Sequence, residues 1–197
     1  IACFLSMSVA GRTATAALDV FQVLEMRSLI GLLWLSPLIY AARIGSVKCS
    51  SVLLEHGAEV NQTEATHGFT PLLGALYMEK FEVADLLLKH GADRTAKMKD
   101  GQTAATIVSG SCAIGGIKWL IANQFDLNVP RSDSGNTLLM NTASVNTPEV
   151  IRTLLEAGAD PTQKNKSGKT ALDLAKEAGR ADNAAVLEEA LAKTKQS

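Results

Sequence analysis

The chain has 197 residues, of which 19 are basic and 20 acidic, so its formal net charge is −1. This balance argues against a nucleic-acid-binding protein, and a hydrophobic fraction of 47% argues against a disordered chain. The three cysteines, Cys3, Cys49 and Cys112, are odd in number and far apart, which excludes a disulfide-stapled fold.

The first 42 residues are poor in charge and predict one or two apolar helices. Residues 28–42 (SLIGLLWLSPLIYAA) contain no charged side chain, and Glu25 and Arg27 precede them. A membrane-spanning helix needs about 20 apolar residues, so this stretch is of borderline length. Two interpretations of residues 1–35 remain open: a membrane anchor that extends to residue 42, or a helical cap over the elements that follow.

From residue 36 onward the sequence repeats itself every 33 or 34 residues. Each unit opens on a Ser or Thr that is expected to cap a first helix, and it closes near a glycine that is expected to end a second helix in the left-handed conformation. The openings are Ser36, Thr70, Thr103, Thr137 and Thr170, and the closings are Gly57, Gly91, Gln124 and Gly158. Each unit therefore predicts a helix, a tight turn, a second helix and a hairpin loop, and it must stack on its neighbours to bury its apolar face.

These units resemble ankyrin repeats, on openings such as TPLLGAL and closings such as HGAEVN, HGADRT and AGADPT. The resemblance covers residues 36–192 and implies an all-α ankyrin-repeat solenoid. Residues 36–197 then form the repeat domain, and residues 1–35 form an apolar helical segment before it. The fourth position of each opening lacks the family's frequent histidine and holds Ile39, Leu73, Thr106, Met140 and Asp173 instead. We expect apolar packing to replace part of the hydrogen bonding between repeats.

Residues 1–42 are similar to the first membrane helices of a drug/metabolite transporter. The similarity rests on ACFLSMSVAG followed by DVFQVLEMRSLIGLLWLSPLIYAAR, in which Phe21, Glu25 and Arg27 mark a short link between two helices. This chain has room for two such helices at most, which is too few for a transporter. The similarity therefore does not predict transport, and the membrane anchor and the helical cap stay equal alternatives.

No group of side chains predicts catalysis, a cofactor or a bound metal, and we expect a chain that is not an enzyme. His56 and His90 share one repeat position before the closing glycine, where a cation suits a helix end. The acids that recur at one loop position predict a structural role in a turn: Glu59, Asp93, Asp126 and Asp160. Cys49 is expected to be a buried small hydrophobe.

The ankyrin resemblance implies a non-catalytic protein–protein interaction module that binds a partner on a concave surface. The contact positions of the family are the loop residues before each opening and the end of each first helix. Here they are Arg43, Thr66, His67, Phe69, Tyr77, Met78, Lys99, Asp100, Gln102, Asp133, Asn136, Ser144, Val145 and Lys166. We predict that the hot spot is in the second repeat, where Phe69, Tyr77 and Met78 would offer large side chains to solvent. The alternative is that Phe69 folds back on its own hairpin and Tyr77 packs on the neighbouring helix, and for Phe69 the two interpretations are equally favoured.

The expected partner is a protein of unknown identity, and nucleic acid is not expected to bind. We expect a cytoplasmic monomer. The alternative is a membrane-tethered ankyrin protein that residues 1–42 anchor to, or associate with, a membrane. The third repeat is expected to be the least stable interior repeat, because Gly110, Gly115 and Gly116 each weaken its helices by up to about 1 kcal/mol relative to Ala.

Overall fold

The computed structural model describes residues 36–110, 114–145 and 147–194. The chain divides into two compact units, Ile1–Asp93 and Arg94–Ser197. The interpretations of residues 1–35, as a cap or as membrane helices, lie outside the described residues, and so does Cys112.

The first unit holds two helical hairpins, one from each of the first two repeats. The first hairpin consists of α1 (Pro37–Ile44) and α2 (Val47–Glu55), and the second of α3 (Pro71–Tyr77) and α4 (Phe81–Lys89). Helix α1 packs on α3, and α2 packs on α4. The contact between the hairpins buries the side chains of Leu38, Ile39, Leu72, Leu73, Leu76 and Leu87, each at most 1% exposed.

The second unit holds three helical hairpins. They are formed by α5 (Ala104–Gly110) with α6 (Ile114–Ala122), by α7 (Leu138–Val145) with α8 (Pro148–Glu156), and by α9 (Ala171–Glu177) with α10 (Ala181–Thr194). Helix α7 lies against both α5 and α9, and α8 lies against both α6 and α10. Apart from an isolated bridge between Lys97 and Thr103, the regular elements of the described residues are all helices.

The predicted helix caps form at four of the five openings. The side-chain oxygens of Thr70, Thr103, Thr137 and Thr170 each accept a hydrogen bond from the backbone N–H three residues later. Ser36 makes no such side-chain bond, so the prediction of a side-chain cap is wrong there. Pro37 still supplies a φ suited to the first turn of α1.

The difference between 33- and 34-residue spacing comes from the hairpin loops. The N–H of Glu64 donates to the carbonyl of Phe69, and that of Arg131 to the carbonyl of Asn136, each across five positions. The matching bonds from Met98 to Gln102 and from Asn165 to Lys169 span four positions. The extra residue is thus contained in a loop and leaves the helices in register.

The fourth positions of the openings bear out apolar packing in three repeats. Ile39, Leu73 and Met140 are at most 1% exposed. Thr106 is also buried, and its hydroxyl donates to the carbonyl of Thr103 at 3.1 Å. Asp173 instead lies at the surface and completes a reciprocal cap with Thr170.

Candidate partner-binding surface

Phe69 is buried in the first unit, with only 6% of its surface exposed. Of the two alternatives for Phe69, the structure agrees with the ring that folds back on its own hairpin and not with the ring that faces solvent. The hairpin that begins at Glu64 turns the Phe69 ring back toward α3, where it meets the edge of Tyr77 at a centroid distance of 5.4 Å. The ring of His67 lies 6.2 Å from Phe69 on the loop side.

The Arg43 side chain lies above the Phe69 ring, with Cζ 5.3 Å from the ring centroid. Gly74 makes room for it: a Cβ at this position would lie 3.0 Å from Cγ of Arg43. Arg43 and Tyr77 occupy the same position in successive repeats. One buried ring thus contacts two side chains, a guanidinium and a phenol, that end neighbouring first helices.

Large apolar side chains lie exposed at the ends of α1 and α3. Tyr77 is 53% exposed, Met78 38% and Ile44 52%. Ile44 and Met78 occupy equivalent positions in the two repeats. We call the four residues Arg43, Ile44, Tyr77 and Met78 the α1–α3 patch.

A buried carboxylate fixes the loop beside this patch. Glu64 is 7% exposed, and its Oε1 accepts a hydrogen bond from the backbone N–H of His67. The same oxygen lies 3.2 Å from Nδ1 of His67, whose side chain is 66% exposed. Thr66 is also exposed. The loop therefore presents Thr66 and His67 outward from a fixed backbone.

The predicted hairpin residues of the third repeat bond to one another. The carboxylate of Asp100 accepts hydrogen bonds from the backbone N–H of Gln102 at 3.1 Å and from its Nε2 at 2.6 Å. Partial burial acts to raise the pKa of Asp100, but the bonds from Gln102 and the charge of Arg131 outweigh it, and the pKa falls below its usual value. Lys99 is exposed on the same loop.

The hairpin of the fourth repeat holds Asp133 in a similar way. Nε and Nη2 of Arg131 donate to its two carboxylate oxygens at 2.9 and 2.6 Å. These bonds, with the one from the backbone N–H of Ser134, hold the pKa of Asp133 well below its usual range. Such exposed ion pairs contribute little to the stability of the fold in water. They nevertheless bond the charged groups of the loop to one another.

Neighbouring hairpins of the second unit are also joined to each other. Nδ2 of Asn165 donates to Oδ1 of Asn136 at 2.8 Å, and Nζ of Lys166 donates to the carbonyl of Ser132 at 2.5 Å. The loops approach closely, since a Cβ at Gly101 would lie 2.7 Å from the backbone N of Ser132. Asn136 and Lys166, among the polar candidates of this unit, thus take part in loop–loop contacts.

The two predicted candidates at the end of α7 differ in how accessible they are. Ser144 is half-buried and its hydroxyl donates to the carbonyl of Asn141 at 3.1 Å, while its own carbonyl accepts from Nε of Arg180 at 3.3 Å. Val145 is 50% exposed. Val145 therefore offers an accessible apolar side chain, whereas Ser144 is engaged in its repeat.

An open groove of about 500 Å³ lies between α8 and α10, with Leu155 and Val186 in its lining. Its rim carries Arg152, Glu189 and Lys193. Glu189 lies 3.8 Å from Arg152 and 2.8 Å from Lys193, so these charges pair with one another.

The residues that could have suggested chemistry take the structural roles predicted for them. His56 and His90 are exposed at the ends of α2 and α4, and Nδ1 of His56 lies 2.8 Å from the carbonyl of Val52. Oδ1 of Asp160 accepts from the backbone and the hydroxyl of Thr162, and Cys49 is 2% exposed. Across the described ranges, no three His, Cys, Asp or Glu residues gather where a metal ion could bind.

Tyr40 and Gly74 are not among the positions that the sequence indicates for partner contact. Tyr40 is 37% exposed on α1, one turn before Ile44. Tyr40 and Gly74 occupy equivalent positions in the first two repeats. The second repeat has no side chain where the first has a large one, and this difference is the signal that could have revealed the space that Arg43 fills. The stacking of Arg43 on Phe69 has no signal in the repeat pattern.

Two protein-family models match the chain. A model described as ankyrin repeats (3 copies) matches residues 22–98, and one described as ankyrin repeats (many copies) matches residues 116–175. Both matches agree with the repeat spacing and with the helical hairpins of the two units.

Curated relatives match different shares of the chain. Rat ankyrin repeat and SAM domain-containing protein 6 is 37% identical over 37% of this chain and 8% of its own length. Bovine mitochondrial disaggregase is 31% identical over 72% of this chain and 21% of its length. The mouse B-cell lymphoma 3 protein homolog is 27% identical over 73% and 31%. The chain thus spans less than a third of the length of each of these relatives.

The similarity of residues 1–42 to a transporter is not supported. The first ankyrin match begins at residue 22, inside that segment, so repeat sequence extends upstream of Ser36. Among the residues that the structure describes, no helix has the length and apolar character to cross a membrane.

Proposed function

This chain belongs to the ankyrin-repeat family, and we propose that it is a non-catalytic module that binds a protein partner at the α1–α3 patch. The observation that carries the proposal is the exposure of Ile44, Tyr77 and Met78 beside an Arg that rests on a buried ring. Aromatic residues, Met and Arg are the types enriched in protein interfaces.

The packing of Phe69 supports this location, because it reduces the freedom of the side chains that a partner would meet. Tyr77 and Arg43 both contact the Phe69 ring, which restrains their rotamers before any partner arrives. Ordering a long side chain on binding costs about 0.5–1.5 kcal/mol, so this restraint favours affinity.

The loop beside the α1–α3 patch would contribute at the edge of the interface. Thr66 and His67 project from the loop beside the patch and would make polar contacts. In the second unit Asp100, Gln102 and Asp133 are engaged within their hairpins, and Asn136 and Lys166 are engaged in bonds between neighbouring hairpins. We propose secondary roles for Lys99, Asp100, Gln102, Asp133, Asn136, Ser144, Val145 and Lys166.

We also propose that the chain is monomeric and resides in the cytoplasm. The thiol of Cys49 is buried and free, which suits a reducing compartment. Sedimentation of the purified chain tests the monomer: a single species whose mass does not change with concentration is expected, and self-association would contradict it.

Site-specific photo-crosslinking tests the binding function. A photoreactive amino acid in place of Met78 in the full chain is expected to yield a discrete adduct with a protein from cell extract, and Tyr77→Ala is expected to remove that adduct. The control places the same group at Lys48, an exposed position on α2. Equal adducts from positions 78 and 48, or an adduct that survives Tyr77→Ala, would contradict binding at this patch.

A further inference from the structure

Arg43 is a cation with no carboxylate partner among the residues that the structure describes. The ion pairs of this part of the chain join other cations to acids, whereas the Arg43 side chain lies over the Phe69 ring and against Gly74. Its side chain is half-buried. Pairing with a carboxylate is more favourable in free energy for a half-buried, unpaired guanidinium than for a fully solvated guanidinium.

The Arg43 side chain lies over the Phe69 ring and donates no hydrogen bond to the residues that the structure describes, so its N–H groups remain for a partner. The N–H donors of a guanidinium lie in its plane, whereas an aromatic ring contacts its face. A carboxylate can therefore bind two of these donors in a bidentate pair while the stacking contact is kept. Lysine, as a point charge, would not provide this geometry.

The surroundings of Arg43 are apolar and exposed. Ile44 follows it in the chain, Tyr77 shares its aromatic contact, and Met78 comes next after Tyr77. A partner that reaches Arg43 must also cover these side chains, and covering them excludes water from the ion pair.

We propose that the partner presents an Asp or Glu to Arg43, next to a large apolar side chain that packs on Ile44, Tyr77 and Met78. The charge complementarity of an unpaired cation within an apolar patch identifies this occupant. The inference rests on the proposed function and adds the chemistry of the partner segment. The acid sets the register of the segment, and the apolar contacts supply most of the affinity.

Selection of peptides from a random display library on the full chain tests this chemistry. The peptides kept for analysis are those that no longer bind the Tyr77→Ala/Met78→Ala chain. We expect them to be enriched in an acid beside a large apolar residue. Replacing that acid by its amide, or Arg43 by Gln, is expected to weaken binding roughly 10- to 100-fold. The two changes together should weaken binding no more than either one alone.

Two further variants distinguish the charge of Arg43 from its bidentate geometry, and both from the effect of removing a cation elsewhere on the chain. Arg43→Lys keeps the charge without the fork and is expected to recover only part of the affinity. Lys48→Gln removes a cation from exposed α2 and is expected to change nothing. Because the amide substitution is made on the peptide, its result holds even if Arg43→Gln disturbs folding.

The outcomes distinguish this inference from the function on which it rests. Selected peptides without an acid, or peptides that bind the Arg43→Gln chain as well as the original, would overturn the inference and leave the binding function standing. Failure to recover any peptide that depends on Tyr77 and Met78 would overturn both.

Discussion

The backbone N–H of Asp160 donates a hydrogen bond to Oδ1 of Asn128, 2.8 Å away and one repeat earlier. Nδ2 of the same Asn donates to the carbonyl of Gly158 at 3.1 Å. In the first unit Asn61 bonds in the same way to the N–H of Asp93 and to the carbonyl of Gly91. One amide side chain thus joins the loop of its own repeat to the helix end of the next, in both units.

Replacing Asn128 by Ala is expected to lower the free energy of unfolding by about 1–2 kcal/mol, since two bonds between repeats are lost. The matched control is Asn123→Ala, which removes one bond within a repeat, to the carbonyl of Trp119. Urea denaturation of both variants measures the difference. Equal losses would show that the inter-repeat bonds have no special weight.

Gln124 has a φ of 56°, whereas the equivalent Gly57, Gly91 and Gly158 have φ values of 81°, 83° and 92°. A side chain in this left-handed conformation is strained, so Gln124→Gly is expected to raise the free energy of unfolding by about 1 kcal/mol. The reverse change, Gly158→Gln, is expected to lower it by a similar amount. A Cβ at Gly158 would contact nothing within 4 Å, so only backbone strain acts there. Thermal or urea unfolding that shows no gain for Gln124→Gly would contradict this.

Phe69 and the pair Tyr77 and Met78 are expected to separate stability from binding. Phe69→Ala should destabilise the chain by about 3 kcal/mol, because the ring is 6% exposed. Met78→Ala should leave the melting temperature nearly unchanged, and Tyr77→Ala should cost at most about 1 kcal/mol for its edge contact.

In contrast, each of the two exposed-residue variants is expected to weaken partner binding by roughly 1–3 kcal/mol. Calorimetric melting and a binding titration measure the two effects. A double variant of Tyr77 and Met78 that binds normally, or one that unfolds, would rule out the patch as the hot spot.

Hydrogen exchange is expected to be fastest among the interior repeats at residues 104–118. Each repeat is stabilised only by contacts with its neighbouring repeats, so its own helices influence how often it opens. The glycines of the third repeat lower the stability of its helices. Exchange measured by mass spectrometry should be slower for residues 70–91 and 137–158. Equal protection of all three regions would contradict this weak point.

The segment before Ser36 is expected to cover the first repeat. Leu38 and Ile39 are fully buried, and the ankyrin match begins at residue 22. A chain of residues 36–197 should therefore melt at a lower temperature or associate, because it exposes apolar surface, whereas residues 22–197 should behave like the full chain. Melting and sedimentation of the three chains measure this. If residues 36–197 melt like the full chain and stay monomeric, the segment is not a cap.

The pattern of the sequence alone predicts most of the fold. The Thr caps and the closing glycines depend on the backbone within a few residues, and they recur with a fixed period. They can therefore be predicted without knowing how neighbouring repeats pack. The roles of Asp160 and His56 in loops and helix ends follow from the same local chemistry. Ser36 is the exception, since its repeat position predicts a side-chain bond that does not form.

The candidate surface required the tertiary structure. Repeat position predicts Tyr77 and Met78 at the end of a first helix, and they are exposed there. For Phe69 it leaves exposure and burial equally open, and the ring turns inward, where it packs against Arg43 of the previous repeat and Tyr77 of its own. Whether a side chain is free or covered depends on residues a repeat away. The local pattern determines the position of a residue in its repeat, and only packing between repeats determines which residues its side chain contacts.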